Sequence, residues 1–313
     1  MTFKAVLALF IVSLLFIIGC VQDDNLVSGA FVGGTNGLSI GFGTDAPPSR
    51  VFDNNEEDFD ISITLENVGE FDIPARKIIS TLSGIDVRDF GISSPNLVLD
   101  RTLDGKSEFN GQVVNGDEDE LIYEGAKYKF DLDADWETTI RADVCYEYQT
   151  KATTKVCLKR KATERDIDDV CQVDNQNVNA ENSGAPVQIE EVSTRTSGSN
   201  EILLNFVVRN KASGLVHPPG TFTHQCVRNE DEEDRLKVEV FSGSQKYTPQ
   251  CSQLGNDNVG EIKLTDNQKV IRCRINTLNA PESPVEEPIN IRATYFYRNA
   301  ISTTFLVEDS EDQ

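Results

Sequence analysis

Apolar residues return at every second position through most of this chain. Phe59, Ile61, Ile63 and Leu65 alternate with Asp60, Ser62 and Thr64, and Ile140, Ala142 and Val144 alternate with Arg141 and Asp143. The period recurs in Leu236, Val238 and Val240, in Ile271, Cys273 and Ile275, and in Ile289, Ile291, Ala293 and Tyr295. Leu38, Ile40 and Phe42 open the series. A spacing of two buries one face of each segment and wets the other, which is how strands of packed antiparallel sheets read. No long stretch carries a 3.6-residue period, and Gly, Asn, Asp and Pro fall between the alternating segments. The pattern predicts an all-β sandwich protein.

The alternation lapses twice. Residues 1–20 hold Lys4, then a 14-residue apolar run from Ala5 to Ile18, then Gly19 and Cys20. That run is too short to cross a bilayer, which takes about 20 residues, and fits the apolar core of a secretory signal. Ile17-Ile18-Gly19-Cys20 resembles a lipobox, which implies cleavage before Cys20 and lipid attachment to it; an uncleaved signal-anchor helix is the alternative. Export to the outer face of the membrane follows on either reading. Residues 21–36 are polar and Gly-rich, and are expected to be a flexible tether with a typical reach of roughly 22 Å.

The second lapse lies between Cys157 and Pro186. It predicts a linker over 161–183 between β-sandwich units at 37–160 and 184–308, with an acidic tail at 309–313. Each unit has the size of an immunoglobulin-like sandwich, and the polar linker predicts that the two fold independently. Both carry a strand ending in Asn and then Gly: Asp60 to Asn67 and Gly69 in the first, Leu204 to Asn210 and Gly214 in the second. Asn and Gly enter positive φ at low cost, so the phrase ends a strand in a tight turn, and its recurrence points to a tandem duplication.

These two phrases, Val144-Cys145-Tyr146-Glu147-Tyr148 with Val156-Cys157, and Gly184-Ala185-Pro186 are similar to tandem Ig-like, CARDB-like domains of prokaryotic, chiefly archaeal, surface lipoproteins. The resemblance spans residues 37–308. It implies two tandem immunoglobulin-like antiparallel sandwiches on the cell surface and implies no substrate.

Charge narrows the partners. With 52 acidic residues against 29 basic, the net charge is −23. Such a surface repels nucleic acid and anionic headgroups, so the expected membrane contact is the N-terminal anchor alone. Beyond Cys20, six cysteines remain: Cys145, Cys157, Cys171, Cys226, Cys251 and Cys273. An even number in an exported chain reads as three disulfides. A hairpin turning at Thr150-Lys151-Ala152 places Cys145 opposite Cys157, at a separation a bridge accepts, and predicts that pair. The other four leave three pairings, of which Cys251–Cys273 with Cys171–Cys226 is favoured. His217, His224 and Cys226 lack the paired spacing of a zinc site.

Candidate chemistry is sparse. Asp131, Asp133 and Asp135 alternate as at the start of a calcium loop, but Trp136 and Ala142 stand where the turn glycine and the bidentate glutamate belong. The acidic runs Asp53 to Asp58, Asp117 to Glu120 and Glu230 to Asp234 read as solvated loops, with loosely held calcium as the alternative. Nucleophile-elbow, P-loop and dinucleotide motifs are absent. No catalytic residues, cofactor or metal ligands are therefore expected. The chain reads as a non-enzymatic, anchored surface protein for adhesion, scaffolding or protein–protein contact. A surface lipoprotein that binds a glycan or cation through its acidic loops is the alternative, and Trp136 is its one aromatic hint.

Overall fold

A computed structural model describes residues 31–164, 170–173 and 176–310. Signal segment and Cys20 lie outside the described residues. The first half of the chain supplies β1 (Leu38–Phe42), β2 (Arg50–Phe52), β3 (Phe59–Asn67), β4 (Ile78–Ser83), β5 (Asn96–Val98), β6 (Ser107–Phe109), β7 (Gln112–Val114), β8 (Glu118–Ala126) and β9 (Trp136–Leu158). The second supplies β10 (Gln176–Asn177), β11 (Glu181–Asn182), β12 (Val187–Thr196), β13 (Glu201–Asn210), β14 (Leu215–His217), β15 (Arg235–Ser242), β16 (Gln250–Cys251), β17 (Val259–Lys263), β18 (Gln268–Asn276) and β19 (Val285–Glu308). One 3-10 turn, Ser252–Leu254, is the only helical element among the described residues. The described residues are nearly all β, as the alternation predicts.

Its organising feature is the pair β9 and β19. They run antiparallel from Val285 opposite Leu158 to Val307 opposite Trp136, without a register break. Strand β9 has 23 residues, about 75 Å at roughly 3.3 Å per residue. The two form the middle of one large sheet ordered β17-β15-β19-β9-β4-β5. A three-stranded sheet, β1-β3-β8, packs on one end, and the sheet β10-β12-β13-β18-β16 packs on the other. Even-numbered residues of β9 from Ile140 to Tyr148, and odd-numbered residues of β19 from Ile289 to Tyr297, face the covering sheets and are buried.

This arrangement corrects the expected division at 161–183. The C-terminal part of β9 pairs with β11, and the C-terminal end of β19 pairs with β2. Phe305 of β19 packs on Phe59 and Phe90 of the first half. Buried residues from both halves form one contiguous core. Within the expected linker, Asn182 aligns with Ala152 of β9, and Gln176 and Asn177 align with Thr194 and Ser193 of β12. The expected tether also ends early: Val32 and Gly33 donate their N–H groups to the Glu70 carboxylate at 2.8 Å each.

The two halves make matching contacts at the centre. Tyr148 donates to Asn67 Oδ1 at 3.2 Å, and Tyr297 donates to Asn210 Oδ1 at the same distance. Asn67 and Asn210 each turn their amide to a backbone carbonyl, of Phe71 and Gly214, at 2.8 Å. The hydroxyl of Tyr146 accepts the N–H of Leu38, and that of Tyr295 accepts the N–H of Val187, both at 3.3 Å. Tyr146-Glu147-Tyr148 and Tyr295-Phe296-Tyr297 are thus equivalent positions, each in the last strand of its repeat and each crossing into the other repeat's territory. Burial drives the hydroxyls of Tyr146 and Tyr295 well above the usual tyrosine range. All four side chains act as neutral hydrogen-bonding struts.

The expected turn at 150–152 does not form, and the reason is local. Thr150-Lys151-Ala152 has no Gly, Asn or Asp to enter positive φ, whereas Thr150 donates its hydroxyl to Val187 O at 2.7 Å and Ala152 is fully buried. Cys145 and Cys157 do share the outer face of β9, but they sit 12 residues apart on one continuous strand, about 40 Å at ordinary rise. They cannot bond. Cys145 pairs with Cys226 and Cys157 with Cys171, which replaces the expected Cys145–Cys157 and Cys171–Cys226 bridges. Cys251 pairs with Cys273, its direct neighbour on the adjoining strand, as favoured from the sequence. Three bridges place the folded part in an oxidising compartment.

Candidate functional site

Two exposed aromatic side chains, Phe130 and Trp136, lie at and just before the N-terminal end of β9. Phe90, fully buried, anchors a run of rings leading outward: Tyr128 at 5.1 Å, then Trp136 and Phe130 at 5.7 and 5.9 Å from Tyr128. Phe130 is 53% exposed and Trp136 39%. Residues 127–135 lie between β8 and β9 outside any strand, so Phe130 is not held to the inward face of Tyr128 two positions before it.

The loop between the two outer rings is held from beneath by Asp53. This carboxylate is fully buried yet has no cationic partner among the described residues; it accepts the N–H of Leu132 at 2.7 Å and that of Ser310 at 3.0 Å. Burial acts to raise its pKa, but hydrogen bonds from Ser310 and Leu132 outweigh that and hold it below the usual carboxylate value. Asn54 and Asn55, both at positive φ, donate their backbone N–H groups to Phe130 O and Tyr128 O at 3.0 and 2.8 Å. Asp135 accepts the N–H of Asp309 at 3.1 Å, so the start of the expected acidic tail is docked here. Asp131, Asp133 and Glu137 are exposed and make no ion pair among the described residues. The arrangement offers two ring faces and a set of free carboxylates on a fixed loop.

Elsewhere the sequence candidates are dispersed. Among the described residues no three His, Cys, Asp or Glu side chains converge on a metal position. Asp131, Asp133 and Asp135 do not close into a calcium loop. In the run 117–120, Arg101 binds both Asp117 and Asp119, and Glu120 accepts the Ser62 hydroxyl at 2.8 Å. This run borders an open groove of about 450 Å³ with Ser39, Thr64 and Glu66. In the run 230–234, Arg228 pairs with Glu233 at 2.6 Å and Glu230 at 3.5 Å.

The grouping of His217, His224 and Cys226 resolves into something other than a metal site. Cys226 is in a disulfide, His224 is exposed, and His217 is fully buried with neither ring nitrogen partnered. His217 packs edge-on against Phe222 at 4.9 Å, and Phe222 in turn packs on Phe296. With Ile79 and the Cys145–Cys226 bridge these rings make a small second core on the outer face of the central sheet. Beside it, Asp143 receives Arg298 at 2.6 Å and Arg141 at 2.9 Å. Phe130 and Asp143 were not singled out by sequence as site residues, and Tyr146 and Tyr148 entered only within the phrase that carries the resemblance; pairing the two Tyr-x-Tyr segments would have found the struts.

No protein-family model matches the chain, and no curated protein matches it. Among solved structures, a mutant of CfaE, the CFA/I adhesin of enterotoxigenic E. coli, aligns over 89% of this chain and 85% of that one, at 11% identity and a TM-score of 0.10. Similarity of that order carries no argument about fold or function.

Proposed function

We propose that this chain is a non-enzymatic, exported protein, anchored to the outer face of the membrane through Cys20, whose immunoglobulin-like modules contact another surface protein or polymer. The observation that carries the reading is the pair of strands β9 and β19, which run unbroken through both ends of the molecule and splice them into one stiff unit of about 75 Å. A spacer that must hold a contact surface away from a membrane needs that stiffness, and tandem modules on a hinge would not supply it. Three disulfides suit the same location.

The test is surface labelling and cross-linking on intact cells. The protein should be degraded by added protease without lysis, Cys20→Ser should release it or leave it unprocessed, and cross-linking should join it to surface components. Full protection from protease would overturn the reading. A second reading, capture of a glycan, is favoured by Phe130 and Trp136 beside free carboxylates, since sugars stack on exposed rings. Tip-dependent retention on a glycan array would select it.

A further inference from the structure

Phe130 and Trp136 are exposed on a loop that is not loose. Their backbone neighbours are tied to Asn54, Asn55, Asp53 and Asp309, and a fully buried carboxylate is committed to that task. Rings held outward on a fixed support lose little entropy on contact, which favours binding. The charge around them is predominantly acidic. Asp131 and Asp133 carry no ion pair among the described residues, whereas Lys127 pairs with Asp58 and Lys129, still charged, is turned to the Arg88 carbonyl.

We infer that this tip is a docking surface for a cationic segment of a partner protein, with lysine or arginine side chains laid over Trp136 and Phe130 and their charged ends reaching Asp131 and Asp133. The inference rests on the surface-contact reading and names its partner. Charge complementarity decides the occupant. A neutral sugar seated here would strip water from two carboxylates and return no opposite charge, which is costly. A cation returns that charge and gains from the ring faces, most of all from Trp, as water leaves. The net charge of −23 further steers a basic partner inward.

The test uses the mature chain and a fluorescent peptide of alternating Lys and Gly, followed by anisotropy across a salt series. Phe130→Ala with Trp136→Ala should weaken binding about tenfold, the sum of two modest cation–π contacts. Asp131→Asn and Asp133→Asn together should weaken it comparably and flatten the salt dependence. Removing three carboxylates on other elements (Glu108→Gln, Glu118→Gln and Asp231→Asn) should change affinity less than about twofold. Phe130→Lys, a single exposed change, should abolish binding even if the double alanine variant folds poorly. Equal losses in the remote and tip variants, or unchanged affinity in the ring variants, would overturn the inference. So would tip-dependent binding of a neutral maltooligosaccharide without the peptide. Protease accessibility on intact cells does not depend on these substitutions, so failure at the tip and failure of the surface reading are separable.

Discussion

His217 gives the sharpest test of the packing. Its imidazole is fully buried against Phe222, and both nitrogens lack partners. Loss of hydration lowers its pKa from 6.5 to about 4, with Glu233 and Glu232 pulling upward and Arg298 and Arg228 pushing downward. The folded-state value lies below the unfolded one, so the unfolded chain takes up the proton first as pH falls. Stability linked to this group is complete above about pH 6.5, is lost progressively toward pH 4, and is flat again below. A displacement of this size is worth about 3 kcal/mol across that window. The perturbation is His217→Leu, which removes the titration and two orphan polar atoms while keeping an apolar side chain in the site. At pH 7 the variant should match or exceed the parent by about 1 kcal/mol, since unsatisfied buried polar groups cost roughly 1–3 kcal/mol. At pH 4 its advantage should have grown by about 3 kcal/mol. The assay is urea denaturation of both proteins from pH 4 to 8, read as the difference in unfolding free energy, in which the shared carboxylate titrations cancel. A difference that stays constant across the range would refute the reasoning, as would an NMR titration placing His217 near its ordinary value.

Other outcomes follow from the splice and its staples. Replacing Cys145 and Cys226 by alanine opens an 81-residue closure and replacing Cys157 and Cys171 opens one of 14, so chemical denaturation should show the first loss larger by about 1.5 kcal/mol. Gly69→Ala would bring a methyl group to 2.0 Å from the Tyr148 hydroxyl and 2.5 Å from Gly184 O, and should cost about 2–3 kcal/mol in the same measurement; a cost below about 0.5 kcal/mol would show that the Tyr148–Asn67 junction is soft. Residues 31–164 and 176–310 produced separately should each lack a dispersed NMR spectrum, and co-expression should restore one folded, disulfide-linked complex. Independent folding of either piece would show that the exchanged strand ends are dispensable.

What the sequence conveyed, and what it withheld, follows from what alternation encodes. Period two assigns a face, and the faces read from Phe59 to Leu65, Leu236 to Val240 and Ile271 to Ile275 are those seen in β3, β15 and β18. It assigned Cys145 and Cys157 to the outer side of their strand correctly as well. What it does not encode is the partner. The stretch from Val144 to Leu158 is palindromic enough in polarity to be folded back on itself on paper, and the absence of a turn residue at 150–152 was the counter-signal. Only the position of β19, 127 residues beyond Leu158 at its nearest end, decides that β9 stays straight. The tip was hidden for a related reason: Asp131, Asp133 and Asp135 drew attention to metal ligation, while the ring between Lys129 and Asp131 looked like an ordinary strand residue.

The two repeats make a further point about why the long strands persist. Each repeat ends in a strand whose first half covers its own partner sheet and whose second half covers the other's. If the repeats had kept their last strands to themselves, the interface between them would be the small polar contact usual between domains of one chain, free to bend. With the ends exchanged, bending would have to break the β9–β19 ladder and expose Tyr146, Tyr148, Tyr295 and Tyr297, whose hydroxyls have specific partners only at the junction. Breaking that set strands buried polar groups at roughly 1–3 kcal/mol each. Stiffness is therefore a property of the duplicated sequence, fixed by four tyrosines and two Asn-Gly phrases, and the exposed tip at the end of β9 is held at a defined distance from the opposite end of the molecule.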